Sequence, residues 1–413
     1  MSTYDLDWLI SVDDHVLEPP DLWTSRLPAK YHEQAPHLIL DDTGGHVWAY
    51  EDLRERVSGL AAVAGTDKDT WTIGSTNYDD MRPGYYDSVA RIADLDEAGI
   101  LASMCFPSFA RFCGQAFWEA KDKDLALLCV RAYNDWMVEQ WCGSAPGRYI
   151  PLIIIPLWDP QEAATEIRRN AARGSHAMCF SENPEPLGLP TIFDRDRYWN
   201  PVWDACQETE TIVCMHIGSS SRIPKISDDI PWSFSQAWAA GLVTSGTMLS
   251  WLIGPVFREF PSLKIALSEG GIGWMPFFME RAAQVIDRRA ALLARGEEPD
   301  GAGVRYDPAK ALDVEGLDIY ETFREHVYGC FIDDVHGVES IRSIGIDNVM
   351  IETDYPHSDS TWPNCIEHAH TQLDANGTLT DEEKYKILRS NAEGLFQFTP
   401  AAPPAVRRSP QPA

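Results

Sequence analysis

Positive charge is scarce in this 413-residue chain: 34 Lys and Arg stand against 63 Asp and Glu, a formal net charge of −29. So acidic a surface repels nucleic acid and anionic membranes, and neither is expected as a partner. No run of about 18 apolar residues occurs, which argues against a membrane span. The opening MSTYDLDWLISVDDH lacks a basic segment followed by a long apolar run, so no secretory leader is expected. The nine cysteines stand singly, with no CxxC pair to suggest a zinc finger or redox motif. Odd in number and unclustered, they fit reduced thiols in a cytoplasmic protein. No GxGxxG follows the first apolar run, so the usual signal of a dinucleotide fold is missing. A small molecule is left as the expected partner.

What the chain does have is a series of short apolar runs, within an overall hydrophobic content of 44 % that excludes global disorder. Eight of them, at 9–15, 100–107, 149–157, 176–181, 211–218, 263–271, 327–333 and 348–356, read as strands. Several are apolar on both faces, as in PLIIIPL and TIVCMHI, which marks strands buried between two layers. Helical patterns lie between most of them. The last, from 381 to 396, opens behind Thr380, a fitting N-cap. Eight strands alternating with about eight helices predict an α/β fold, a (β/α)8 TIM barrel, with a doubly wound open sheet as the structural competitor.

The expected organisation is one barrel over 1–397. An insertion at about 17–86, between the first two strands, covers the mouth. It contains a hairpin turning at Asp-Thr-Gly-Gly. A second insertion spans 222–239, and the Pro/Ala-rich 398–413 reads as a flexible tail.

In such a barrel the active groups sit at the C-terminal ends of strands. The first run ends Asp13-Asp14-His15, the fifth at His216, the sixth at Glu269, the eighth at Asp354. Asp13 and His15, two apart on an extended chain, point to the same face. With His216 and Asp354 they form a ligand set for a divalent ion, and imidazole with carboxylate suits Zn, Mn or Fe. Such an ion polarises a substrate oxygen or lowers the pKa of bound water. Each residue also has an ordinary reading, as a cap, a turn carboxylate or a core histidine. Glu269 reads as general base, further metal ligand or cap for the following helix. Arg82, Arg222, His357 and Trp362 are the candidates for substrate contact.

The segments VDDHVLEPPDLW, IVCMHIG, LKIALSEGGIGWMPFFMER, YGCFIDD, VMIETDYPHSDSTWP and ILRSNAEGLF resemble the amidohydrolase-related (amidohydrolase 2) enzymes of the aminocarboxymuconate-semialdehyde decarboxylase type. The resemblance implies one divalent metal, Zn or Mn, with Fe as a further option. Its ligands would be Asp13, His15, His216 and Asp354. It also implies a homodimer or related-subunit oligomer. Where those decarboxylases usually carry a proton-transferring His before the Gly-Gly, this chain has Glu269, which could serve as base or as ligand to a second ion. The expected function is therefore a metal-dependent hydrolase or nonoxidative decarboxylase acting on a small organic acid or amide, with Glu269, Asp354 and His216 catalytic. The alternatives are an oxygenase (hydroxylase) with a dinuclear Mn/Fe-type centre, and a noncatalytic barrel subunit.

Overall fold

The computed structural model describes residues 4–222, 224–225, 227–299, 304–306 and 311–404. Eight strands run parallel: β1 (Leu9–Val16), β2 (Ile100–Pro107), β3 (Tyr149–Ile150, resuming at Leu152–Ile153), β4 (Ala177–Cys179), β5 (Ile212–His216), β6 (Ile265–Ser268), β7 (Val327–Phe331) and β8 (Val349–Ile351). The chain's ends close the ring. Asp354 N donates to the Asp13 carbonyl at 2.9 Å, and His15 N to the Tyr355 carbonyl at 2.8 Å. The third strand, expected as one piece, is split at Pro151, which has no N–H for the ladder. Every residue of β1, β2, β5, β6 and β8 is buried. That is the consequence of a sheet covered by helices outside and packed with its own side chains inside.

Helices fill the crossovers, with caps placed by short polar residues. Asp159 Oδ1 accepts from Gln161 N and Glu162 N at the head of Pro160–Ala171. Thr380 forms a reciprocal capping box with Glu383. After β5 the expected second insertion ends in a helix. Trp232–Ala239 leads through a π-helical turn into Ser245–Ile253. Among the described residues one helical run, Ala237–Glu259, is long and apolar enough by composition to cross a membrane. Its Met248, Trp251 and Leu252 are buried, with Trp251 against Trp203 and Phe257, so here it packs as a core helix of the barrel.

Between β1 and β2 the hairpin pairs His37–Leu40 with His46–Tyr50, and Leu53–Arg56 adds a third antiparallel strand. Asp41 fixes the turn: its Oδ1 accepts from Thr43 N, Thr43 Oγ1 and Gly45 N. This segment reaches the end of β8, where Val63 N and Ala64 N both donate to the Pro356 carbonyl. The tail differs from expectation in its first residues. Phe398 N donates to Glu393 O and Ala401 N to Gly147 O, so the chain stays pinned to the barrel that far. Residues 405–413 of the expected flexible tail lie outside the described residues.

Candidate metal centre

The ladder registers bring the polar strand ends to one point. His216 is level with Ser268, so Glu269 stands one step beyond it on the neighbouring strand. On β1, three residues oppose two of β2: Ser11 faces Ser103 and Asp14 faces Cys105. Beside this bulge Asp13 and His15, two apart, face inward together and Asp14 faces the other way. Asp14 is then fully occupied, accepting from Ser11 Oγ, Ser103 Oγ, Thr353 Oγ1 and Tyr355 N. It ties β1 to its neighbours and has no free oxygen for an ion.

Around the centre, His15 Nε2 lies 3.6 Å from Asp13 Oδ1 and 3.2 Å from Asp354 Oδ1. His216 Nε2 lies 3.5 Å from Asp13 Oδ2 and 3.2 Å from Glu269 Oε2. Ligand atoms about 2.1 Å from one ion sit roughly 3 to 4 Å from one another, so the spacing of Asp13, His15 and His216 fits a shared cation, while Asp354 forms an adjoining group with His15 and His357. Both Asp13 oxygens, both His15 nitrogens, His216 Nε2 and Asp354 Oδ1 are buried without a hydrogen-bond partner. So many unpartnered atoms close together would be costly in an ordinary core, and a divalent ion would supply a partner to one nitrogen of each imidazole and to the carboxylate oxygens.

The charge states agree. Burial, then the nearby Glu352, Asp354 and Glu269, push Asp13 well above the usual carboxylate range. Burial holds His15 well below its ordinary value and His216 down at about 4, so both rings are neutral with a lone pair available. Burial also works to raise Asp354, but His357 and His15 outweigh it and hold that carboxyl low. His216 Nδ1 donates to the Ile217 carbonyl at 2.6 Å, which leaves Nε2 as the ligating nitrogen. The ring of Phe112 stacks on His216, centroids 4.0 Å apart and 9° from parallel.

Glu269 completes the group from β6. Its backbone is left-handed, φ 54°, and its N–H donates to Glu352 Oε2 at 3.0 Å. Burial, then Asp354 and Glu352, push its pKa well above the ordinary value, although 23 % of the side chain is exposed. The two glycines that follow are required by packing and backbone geometry. A Cβ on Gly270 would lie 2.7 Å from Thr244 Cγ2, and Gly271 has φ 64°.

His357 joins the cluster in a different place from the substrate-facing one expected. It stacks on His15 at 3.6 Å and sets its Nδ1 3.0 Å from Asp354 Oδ1. Arg82 and Trp362 do not reach the centre. Arg82 pairs with Asp94 at 3.0 Å and lies 4.4 Å over the Trp362 ring, whose Nε1 donates to Asp94 O. Together they pin the loop after β8. Arg222 borders a cavity of about 960 Å³ beside the centre, walled also by Phe112, Glu182, Gly218, Leu242 and Thr247.

Three residues here escaped sequence reasoning: Glu352, which holds Glu269 N, Phe112, and Glu18. Glu18, fully buried, accepts from Phe109 N at 2.8 Å and Ala110 N at 3.1 Å, and so fixes the loop that carries Phe112. Burial outweighs these bonds and raises its pKa from 4.5 to about 7. The folded protein thus keeps a proton that the unfolded chain releases. The carboxyl's contribution to stability is complete below about pH 4.5 and fades as pH rises through about 7. Relative to wild type, Glu18→Gln is therefore expected to gain stability across that window, by about 3 kcal/mol. Paired urea melts at pH 4.5 and 7.5 measure it, and a difference that does not change with pH contradicts it.

Comparison with known proteins places these features in context. The gamma-resorcylate decarboxylase of Polaromonas sp. (strain JS666 / ATCC BAA-500) is 28 % identical over 285 residues, 67 % of this chain and 78 % of that protein. That of Rhizobium radiobacter is 27 % identical over 284 residues, with the same coverage of 67 % and 78 %. Among solved structures, an amidohydrolase of Mycobacterium avium subsp. paratuberculosis K-10 has a TM-score of 0.69 at 21 % identity, covering 96 % of this chain and 98 % of that one. A dihydroxybenzoic acid decarboxylase of Polaromonas sp. JS666, solved with manganese and the inhibitor 2-nitroresorcinol, has a TM-score of 0.56 at 19 % identity, covering 94 % and 97 %. The amidohydrolase family pattern matches residues 41–398. That match takes in most of the barrel and four of the six converging side chains, His216, Glu269, Asp354 and His357, and the chain belongs to the amidohydrolase family.

Proposed function

We propose that this chain is a metal-dependent nonoxidative decarboxylase of a small aromatic acid. The observation that carries the reading is the set of buried, unpartnered ligand atoms on Asp13, His15, His216 and Asp354, in a chain similar to gamma-resorcylate decarboxylases. Two carboxylates with two imidazoles favour manganese over a thiolate-loving metal. When bound, the ion supplies Lewis acidity that anchors the acid and draws electron density towards its oxygens.

The chain's own residues do the rest. Glu269 is the proton carrier in this reading: burial, the largest cause, raises its pKa and favours the protonated form. It thereby meets the need that a histidine fills in relatives of the same type. Proton transfer from Glu269 goes to the ring carbon that bears the carboxylate. The bond to that carboxylate then breaks, its electron pair returns to the ring, and carbon dioxide leaves. One proton is consumed and no oxidant. His357 orients Asp354 through the 3.0 Å contact. Phe112 walls the centre on the cavity side and limits water there.

The test is carbon dioxide release from 2,6-dihydroxybenzoate and 5-carboxyvanillate by manganese-loaded protein, with oxygen excluded. Turnover is expected without oxygen, falling at least about a hundredfold after chelation and returning with manganese. Turnover that needs oxygen would establish the hydroxylase alternative instead. No release from either acid would remove the reading for aryl acids.

A further inference from the structure

Glu182 follows β4 and belongs to neither the ligand cluster nor the proton step. It is 6 % exposed. Its Oε1 is saturated, accepting from Gly218 N at 2.9 Å, Ser220 N at 3.3 Å and Ser220 Oγ at 2.9 Å. Its Oε2 is buried and has no partner. The three bonds on Oε1 hold the carboxylate plane in place, so the direction of Oε2 is set by the fold. Burial outweighs those bonds and pushes its pKa up to about 7. The side chain borders the 960 Å³ cavity, whose walls include Phe112, Leu242 and Trp251. Phe112 is also the ring stacked on His216, so the cavity and the metal centre share a wall.

A buried carboxylate oxygen without a donor is rare in a finished core, and when it lies beside a cavity the missing donor belongs to a ligand. We propose that Glu182 is a substrate-contacting residue. Its Oε2 takes an O–H or N–H donor carried by a flat ring lodged between Phe112 and Leu242. This rests on the aryl-acid reading above and deepens it. The metal centre engages the carboxylate end of the substrate, and Glu182 selects for a hydroxyl or amino substituent on the ring. A hydrogen bond to a buried, otherwise unpartnered oxygen discriminates well against an analogue that lacks the donor.

The test uses full-length, manganese-loaded protein and calorimetric binding of resorcinol against 1,3-dimethoxybenzene, which has the same ring and no donor. Wild type is expected to prefer resorcinol by at least about tenfold. Glu182→Gln retains an amide oxygen for the Gly218 and Ser220 donors and loses the acceptor at Oε2, and the preference should fall to within about threefold. Should that variant not fold, Glu182→Asp, which withdraws the carboxylate from the cavity, carries the same expectation. Substituting 1,3-diaminobenzene tells an amino from a hydroxyl preference. An unchanged preference in the variant, or no preference in wild type, overturns the proposal. A Glu182-dependent preference without carbon dioxide release from 2,6-dihydroxybenzoate upholds the cavity site and overturns the decarboxylase reading. Release that is indifferent to Glu182 does the reverse.

Discussion

Replacing His216 with alanine is expected to remove the divalent ion and turnover together. The Nε2 atom of this ring lies between Asp13 and Glu269 at 3.5 and 3.2 Å and has no hydrogen-bond partner. Its other nitrogen is tied to Ile217 O and its face to Phe112, so the ring is held for one purpose. Loss of an outer partner of a metal ligand costs roughly 10- to 100-fold in affinity, and loss of the ligand itself costs more. Manganese affinity should therefore fall by more than about a hundredfold, with turnover following it. Electron paramagnetic resonance of manganese titrated into the variant reads the affinity without any substrate. A folded variant that keeps its manganese would take His216 out of the ligand set.

The second large effect is expected at Glu269. Glu269→Gln preserves shape and removes the transferable proton. General acid–base groups contribute about 10²- to 10⁴-fold, so kcat should fall by that much. Manganese affinity should stay within about tenfold, because Asp13, His15, His216 and Asp354 supply the ligand atoms. The side chain lies 3.2 Å from His216 Nε2, close enough that ligation is the rival explanation. Equal losses of affinity and turnover would establish that rival and contradict the proton-carrier role.

Much of the barrel was legible because each strand is a short apolar run with a polar residue at its end. That pattern requires only that strands be buried on both faces and that function gather at one rim. The inward pairing of Asp13 with His15 followed from two-residue periodicity, and the bulge beside them leaves it intact. Asp14 shows the other side of the same rule: its neighbours Ser103 and Thr353 are distant in sequence, so its structural role was not readable from the motif alone.

The misplaced contacts share one cause. Arg82 and Trp362 looked available to substrate because a single sequence does not announce that Asp94 will take both of them. Glu182, Glu18 and Phe112 were passed over for the opposite reason. In sequence a glutamate before Asn-Pro, a glutamate before Pro-Pro and a phenylalanine after Arg look like loop polarity and core packing. Only the convergence of three loops on His216 gives them roles. The break at Pro151 was visible as a residue and still escaped notice, since the apolar run continues across it.

The most direct test of the account is a crystal of manganese-loaded protein measured at the manganese absorption edge. One anomalous peak per chain is predicted, within bonding distance of Asp13, His15, His216 and Asp354. A peak elsewhere, or none at this position in protein shown to be loaded, would contradict it.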